Sequence, residues 1–258
     1  MAGLPYAVAG LYLGHMTVSP CVNLQSLISN LLHTLWPVSR PRHLIWIGTF
    51  IFLLVGLAGC AQAAIQPAVH FDEDVLYHDE FVPDQMGEWQ FEGDGAGQTT
   101  IINDQMVIEL DAPHILQFTT LNNLTFADFV LEVDARPVGG DLQNSYGVLF
   151  RMQDPQRFYR FELTGSGLYM FERRNGDGTW TRFLPDWAPS EAINQGLNAS
   201  NRLKVVAQGS RLSAYVNEVL VHEVNDDLYP VGAIALDAGT FYQPSVRVAF
   251  DNLVVRPP

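Results

Sequence analysis

The chain is poor in cysteine and in basic residues, and lysine is the scarcest of these. Its 258 residues include 2 Cys, at Cys21 and Cys60. Two thiols make neither a disulfide framework nor a thiolate zinc site. Lys and Arg total 14 against 28 Asp and Glu, and Lys204 is the single lysine. A formal charge of -14 argues against a nucleic-acid or acidic-membrane partner, both of which need a basic face. Several chemistry-bearing strings are also missing. There is no Gly-x-Ser-x-Gly elbow, no His-Glu-x-x-His helix and no Asp-x-Asp-x-Asp-Gly loop. Gly165-Ser166-Gly167 reads as a hairpin turn, and the glycine-rich stretch 92–97 joins no strand to a helix, so it is no phosphate cradle. His70, His78, His114 and His222 are far apart and read as surface or edge residues, so no metal site is assigned. Apolar residues are plentiful. At 48% hydrophobic and 16% charged, the chain is not disordered, and its length supports a core without disulfides or metal.

The charge is unevenly distributed. Residues 1–60 carry Arg40 and Arg42 and no acid, whereas residues 61–258 hold the other 12 basic groups and all 28 acids, a net charge of -16. Leu44 to Gly59 forms an uncharged apolar run, short of the ~20 residues a membrane span needs. With the two arginines before it, the run reads as the hydrophobic helix of a secretory signal over residues 38–59. It ends in Leu57-Ala58-Gly59-Cys60, which resembles the lipobox of bacterial lipoproteins. That resemblance implies cleavage before Cys60, lipidation of its thiol and anchoring to a membrane. Two or more acyl chains hold a protein stably where one does not. Residues 60–74 are then a lipid-anchored tether. Ala61 permits outer-membrane sorting, where an Asp would signal retention in the inner membrane. The expected location is the bacterial cell envelope, outside the cytoplasm. Residues 1–37 lack charge and sustained periodicity. They read as a translation start set too early, with Val38 in the initiator position, or as a disordered extension. A peptide from residues 1–30 in uncleaved precursor would exclude the first alternative.

From Val75 onward, short runs alternate apolar and polar residues between Gly, Asn, Asp and Pro, the signature of strands. Clear runs are 105–110, 129–135, 147–152, 158–163, 168–173, 179–183, 202–207, 211–216, 219–224 and 246–250. Asn175-Gly176, Asp177-Gly178 and Asn217-Glu218 supply residues tolerant of the turns between them. No 3.6-residue period exceeds two turns. Residues 185–196 read as an irregular connection with one helical turn from Ser190 to Ile193. The predicted fold is all-β, an antiparallel two-sheet sandwich over residues 75–258. Alternation puts Tyr159, Phe161 and Leu163 on one face of their strand and Arg160 and Glu162 on the other. It permits Arg151 to share that second face.

Several motifs are familiar. They are Asp79-Glu-Phe81 with Trp89, Asn103 to Ile108, Phe126 to Val133, Asn144 to Arg151, Tyr159 to Glu162, Asn201 to Leu203, Tyr215 to Asn217 and Phe250 to Leu253. Together they resemble the concanavalin A-like lectin and glucanase superfamily, and most closely its 3-keto-disaccharide hydrolase-like branch. The resemblance spans residues 75–258, with Gln105 where the family usually has Gly. It implies a jelly-roll sandwich and a link to carbohydrates, and says little about activity, since these are core and turn residues.

Glucanases of this superfamily carry a Glu-x-Asp-x-x-Glu strand whose carboxylates share one face. The nearest string here, Glu132-Val-Asp134, continues to Ala135-Arg136-Pro137 and lacks the second Glu. A laminarinase-type mechanism is therefore not expected. The sugar-binding candidates are Trp180 and Trp187, with Tyr169 and Tyr242, as flat faces for pyranose rings. Arg151, Arg160, Arg173 and Glu162 are candidates for bonding hydroxyls. Core packing competes for each aromatic, and a cross-strand ion-pair ladder competes for the Arg and Glu group. Glu162 and Asp251 are the candidate catalytic carboxylates. No cofactor is implied. Loose Ca2+ binding at residues 72–74 or at Asp226-Asp227 is the alternative to plain solvated charge. The preferred reading is a non-catalytic, lipid-anchored module for a glycan or cell-wall polymer. The alternatives are a glycoside hydrolase of the 3-keto-disaccharide type and a structural or adhesive module that contacts a protein.

Overall fold

The computed structural model describes residues 74–91 and 96–258. The readings of residues 1–37, of the signal at 38–59, of Cys60 and of the tether up to residue 73 lie outside the described residues. Within them the chain forms sixteen strands and no helix. Two antiparallel sheets face one another, so the all-β sandwich read from the alternation is the fold of the domain.

Sheet A holds β1 (Tyr77–Asp79), β3 (Gly97–Ile101), β4 (Met106–Leu110), β6 (Phe129–Gly140), β12 (Asn201–Gln208), β13 (Arg211–Val216), β14 (Val219–Asn225) and β16 (Val246–Arg256). Its order is β14-β13-β12-β6-β16-β4-β3, with β1 also paired to β16. Sheet B holds β2 (Trp89–Gln90), β5 (Leu116–Leu121), β7 (Ser145–Asp154), β8 (Arg157–Thr164), β9 (Leu168–Arg174), β10 (Trp180–Arg182), β11 (Ala188–Pro189) and β15 (Ala233–Gly239). Its order is β10-β9-β8-β7-β15-β5-β2, with β11 on β9. The crossings between non-consecutive strands bring β15, late in the chain, beside β7 and β5.

The core follows the period of two. On β6, Phe129, Leu131, Val133 and Ala135 point inward and are fully buried, while Val130, Glu132, Asp134 and Arg136 alternate outward. They meet Tyr146, Val148 and Phe150 of β7, Tyr159, Phe161 and Leu163 of β8, and Phe171 of β9. Aromatic rings dominate the contact. Phe150 stacks on Tyr159 at 5.4 Å and lies edge-on to Phe129 at 6.1 Å. Rings of this size bury large apolar areas and gain from offset or edge contacts. Tyr169, one of the candidate sugar platforms, belongs to this core, and its hydroxyl donates to the Val221 carbonyl at 2.8 Å.

Asp79 ties together the start of the domain. Buried at the end of β1, it accepts from Tyr77 Oη at 2.6 Å, the Phe81 amide at 2.8 Å, the Gly87 amide at 2.7 Å and Trp89 Nε1 at 2.9 Å. One carboxylate thus satisfies a turn that no ladder could serve.

The connection at 185–196 departs from the sequence reading. It contains β11 and bends, with no helical turn at Ser190–Ile193. Ser190 Oγ and its carbonyl accept from Ala192 and Ile193, closing a tight turn instead, as Ser side chains do when they compete with helix formation. The turn residues behave as read. Asn217 and Glu218 both have positive φ, at 48° and 67°, between β13 and β14.

Sheet B differs from sheet A in one respect that positions the site. Its central strands are buried on both faces. On the face away from the core lie Leu149, Met152, Phe158 and Ala235, joined by Leu116, Phe118 and Trp180. Beside that apolar group lies a patch of charge.

Candidate functional site

The patch is built from four strands of sheet B. Arg160 and Glu162 stand on β8, Glu172 on β9, Asp237 on β15 and Arg182 on β10. Register places Arg160 opposite Glu172, and Glu172 opposite Arg182. In the next row Asp237 faces Gly147, and Gly147 faces Glu162. Gly147 has no side chain to interpose, so Arg160 reaches across to Asp237. Its Nε and Nη2 donate to Asp237 Oδ2 at 2.8 and 2.5 Å, and Nη2 also donates to Ser145 Oγ at 3.1 Å. Nη1 lies 2.6 Å from Glu162 Oε2 and 3.9 Å from Glu172 Oε1. Gly239 leaves the room this needs. A Cβ there would sit 3.0 Å from Arg160 Nη2 and 2.9 Å from Ser145 Oγ.

Three carboxyls therefore surround one guanidinium, with Arg182 Nε a further 3.6 Å from Glu172 Oε2. Asp237 is wholly buried and Glu162 is 1% exposed. Burial pushes the Glu162 carboxyl up to about 8, and the neighbouring Glu172 and Asp237 charges push the same way. Arg160 pulls in the other direction. Its charge is already matched by the two hydrogen bonds to Asp237, so burial prevails and Glu162 holds a proton near neutral pH. Burial also raises Glu172 and Asp237 above the usual carboxylate range. Asp237 Oδ1 is buried without a hydrogen-bond partner among the described residues, whereas Glu162 Oε2 is held by the ion pair with Arg160.

A cavity of about 650 Å³ adjoins this patch, lined by Gln143, Asn144, Thr164, Leu168, Arg182, Asp186, Trp187, Phe241, Tyr242 and Gln243. Thr164 shares the Glu162 face of β8, two residues on, and Arg182 joins the cavity to Glu172. The Trp187 ring packs edge-on against Phe241 at 5.6 Å. Tyr242 is 85% exposed, with its ring 5.5 Å from that of His114. Apolar rings together with amide and hydroxyl groups suit a polar ligand with flat apolar faces.

Not every residue singled out from the sequence comes to this place. Arg160 and Glu162 are central to the patch, Trp187 lines the cavity, and Trp180 shares the outer face, packed on Phe158 at 5.7 Å under Arg174. Arg151 departs from the shared face that alternation permitted. A break in register after Phe150 and a φ of 47° turn it away, and it donates to the carbonyls of Ala127 at 2.7 Å and Gly209 at 2.9 Å and to Asp128 at 3.2 Å. It clamps the end of the sandwich. Arg173 faces the opposite side of β9 from Glu172 and pairs with Asp226, which also accepts from Tyr159 Oη. Asp226 is thereby engaged by the protein's own groups. Among the described residues no set of three or more His, Cys, Asp or Glu is arranged to hold a metal ion. Asp251 stands on sheet A, where Gln105 Nε2 donates to it at 2.9 Å beside a cavity of about 100 Å³. It cannot act together with Glu162. The groups that sequence reading passed over are Asp237, Glu172 and Arg182. A single Asp in the apolar stretch Ala233–Gly239 was the available signal.

The description 3-keto-alpha-glucoside-1,2-lyase-like domain matches residues 81–256, most of the chain. The chain belongs to this family. Solved structures agree on the architecture. The carbohydrate-binding module CBM66 from Bacillus subtilis superposes with a TM-score of 0.53 at 18% identity, over 67% of this chain and 97% of that one. A Bacillus licheniformis beta-glucanase gives 0.51 at 11% identity, over 70% and 98%. A Bacillus subtilis protein of unknown function with a galectin-like fold gives 0.52 at 13%, over 71% and 96%. At these identities the likeness is one of fold, the two-sheet jelly-roll sandwich. No curated protein matches the chain.

Proposed function

We propose that this 3-keto-glucoside lyase-like domain binds a saccharide in the cavity beside Trp187 and Tyr242 and acts on a 3-keto-glycoside there, with Glu162 as its acid. One observation carries the reading: a cavity of saccharide size, lined by Trp187 and Tyr242, shares Arg182 with the buried carboxyl cluster in which Glu162 keeps a proton. Sequence reading favoured binding without catalysis, because no single strand carries paired carboxylates. The pairing arises across strands instead, from β8 and β15. The reading takes further support from the family's own description and from the resemblance of its neighbours to carbohydrate-handling folds. Binding is testable with the full chain against a glycan panel. Trp187→Ala is expected to weaken saccharide affinity about tenfold, the worth of one aromatic platform. A silent panel, or an unchanged affinity in the variant, would overturn it.

A second reading, a binding module without turnover, draws on the near-complete burial of Glu162 and Asp237. Binding with no consumption of any 3-keto-glycoside would favour it. Either activity is read as taking place at the bacterial envelope, on a protein tethered by lipid at Cys60. The support is the apolar run ending in Leu57-Ala58-Gly59-Cys60. Cys60→Ser is expected to shift the protein from the membrane to the soluble fraction and to remove its lipid mass. Unchanged fractionation would dismiss the anchor.

A further inference from the structure

We propose that Tyr242 is a second, outer platform on which a further sugar ring stacks, so that the site takes a saccharide chain longer than the cavity holds, with Asn144 as the positioning residue that fixes the platform. This rests on the reading of the cavity as a saccharide site, and adds the length of ligand that it selects.

An exposed ring by itself needs no explanation on a protein surface. Tyr242 carries more, because the loop that bears it is fixed. Residues 240–245 join β15 to β16, and the buried Asn144 side chain holds them. Asn144 Oδ1 accepts from the Phe241 amide at 2.9 Å, and its Nδ2 donates to the Gln243 carbonyl at 3.1 Å and the Ser245 carbonyl at 3.0 Å. The loop at 111–115 supplies a second tie. The His114 amide donates to the Phe241 carbonyl at 3.0 Å, the Thr240 amide to the Ile115 carbonyl at 2.8 Å, and Thr240 Oγ1 to the Ala112 carbonyl at 2.6 Å. Both backbone groups of Phe241 are thus bonded within the protein, in a class of segment that is ordinarily mobile.

The same loops hold strained backbone. Ser245 has a φ of 73° and His114 a φ of 60°, left-handed values that residues other than glycine keep where the surroundings over-determine them. Such residues cluster at ligand clamps. Pro244, between Tyr242 and Ser245, has its φ fixed by its ring. Tyr242 is therefore presented by a backbone with little freedom. A ring fixed in advance binds without the ordering cost of a mobile one.

Burial then separates the two platforms. Trp187 is half-buried in the cavity, edge-on to Phe241. Tyr242, the next residue after Phe241, lines the same cavity and is 85% exposed. His114 meets the Tyr242 ring at 83°, an edge contact that steadies it. A ligand that touches both platforms runs from the cavity out into solvent, and one pyranose ring does not lie in both places. Sugar rings combine apolar C–H faces with a rim of hydroxyls, which suits a ring that is apolar in body and polar at its tip. The amide side chains of Gln143 and Gln243 line the same cavity, within reach of such hydroxyls.

Chain length distinguishes the outer platform from the inner one. Full-length protein is titrated calorimetrically with the series from glucose through maltose to maltopentaose. Affinity is expected to rise about tenfold at the length that first reaches Tyr242, the worth of one aromatic contact. Tyr242→Ala should remove that step, Tyr242→Phe should retain it, and Trp187→Ala should weaken every length alike. Asn144→Asp keeps the size and the bond from Phe241, loses both donations to the loop, and should remove the same step. The double variant should lose no more than either single one, since both act on one contact. If Asn144→Asp does not fold, Thr240→Val cuts the second tie with the shape kept, and the step should again be lost. An affinity independent of length, or a step that survives Tyr242→Ala, would overturn the outer platform and leave the cavity reading standing. A step unchanged in Asn144→Asp would overturn the positioning role. Wild-type protein that binds no member of the series would dismiss the cavity reading itself, a different result from any variant's failure.

Discussion

Replacing Arg160 by Met is expected to lower folding stability by about 3–5 kcal/mol, the cost of removing one partner from a buried ion pair. In a domain of this size the loss corresponds to a fall in Tm of ~10 °C. The reason is electrostatic. Arg160 is the cation that Asp237, Glu162 and Glu172 share, and all three carboxyls are buried beside it. Met fills much of the same volume, so packing is largely kept and the loss reports charge. Arg182 does not substitute, because it touches Glu172 from a largely exposed position at 3.6 Å. Urea unfolding measures the effect. A loss below 1 kcal/mol would mean that the carboxyls are neutral or solvated and need no guanidinium.

The second large effect is a stability that declines as pH rises through neutrality. Glu162 titrates at about 8 in the folded domain, against an ordinary value of 4.5. Its folded state therefore binds the proton more tightly than its unfolded state. Below 4.5 both states are protonated and the group contributes nothing. Between 4.5 and 8 the unfolded chain ionises freely while the folded one resists, so stability falls. Above 8 the penalty is complete. Linkage puts its ceiling at about 5 kcal/mol, with the neighbouring charges offsetting part. Glu162→Gln, which cannot ionise, is expected to flatten the curve between pH 5 and 8 and to unfold at a higher temperature than wild type at pH 8. Parallel melting curves for the two proteins across that window would remove the claim. The exposed acids act oppositely and at lower pH. Arg157 and the Gln156 amide hold Asp154 below its usual range, and Thr179 does so for Asp177. Their contributions are present above the ordinary carboxylate value and disappear as pH falls, so stability is expected to peak on the mildly acidic side.

Particular strands show how far a single sequence can be read. On β8 the alternation Phe158-Tyr159-Arg160-Phe161-Glu162 identified both faces correctly, because sterics force successive side chains to opposite sides. The same rule failed one strand earlier. Arg151 follows a break in register, and a bulge displaces a side chain without any mark in the period. The strand β15 was not read at all. Its outer positions are Ala233, Ala235 and Gly239 around Asp237, small residues that make the alternation faint. At Gly239 the missing side chain leaves the space that Arg160 needs, so a feature that makes the patch possible also helped to hide it. Glu172 and Arg182 were visible as charges on strands, but nothing local indicated that they stand opposite each other.

Composition and periodicity thus determined the fold class, the inward faces of most strands, and the division between residues 1–60, which carry no acid, and residues 61–258, with a net charge of -16. Those properties are local, and each follows from a residue and its near neighbours. The candidate site is not local. Asp237 lies 77 positions from Arg160 along the chain, and their meeting depends on β15 being inserted beside β7. Alternation assigns a side chain to a face but leaves the order and register of strands open. Only the packed sandwich brings three carboxyls to one guanidinium, and only burial there lets one of them keep a proton at neutral pH.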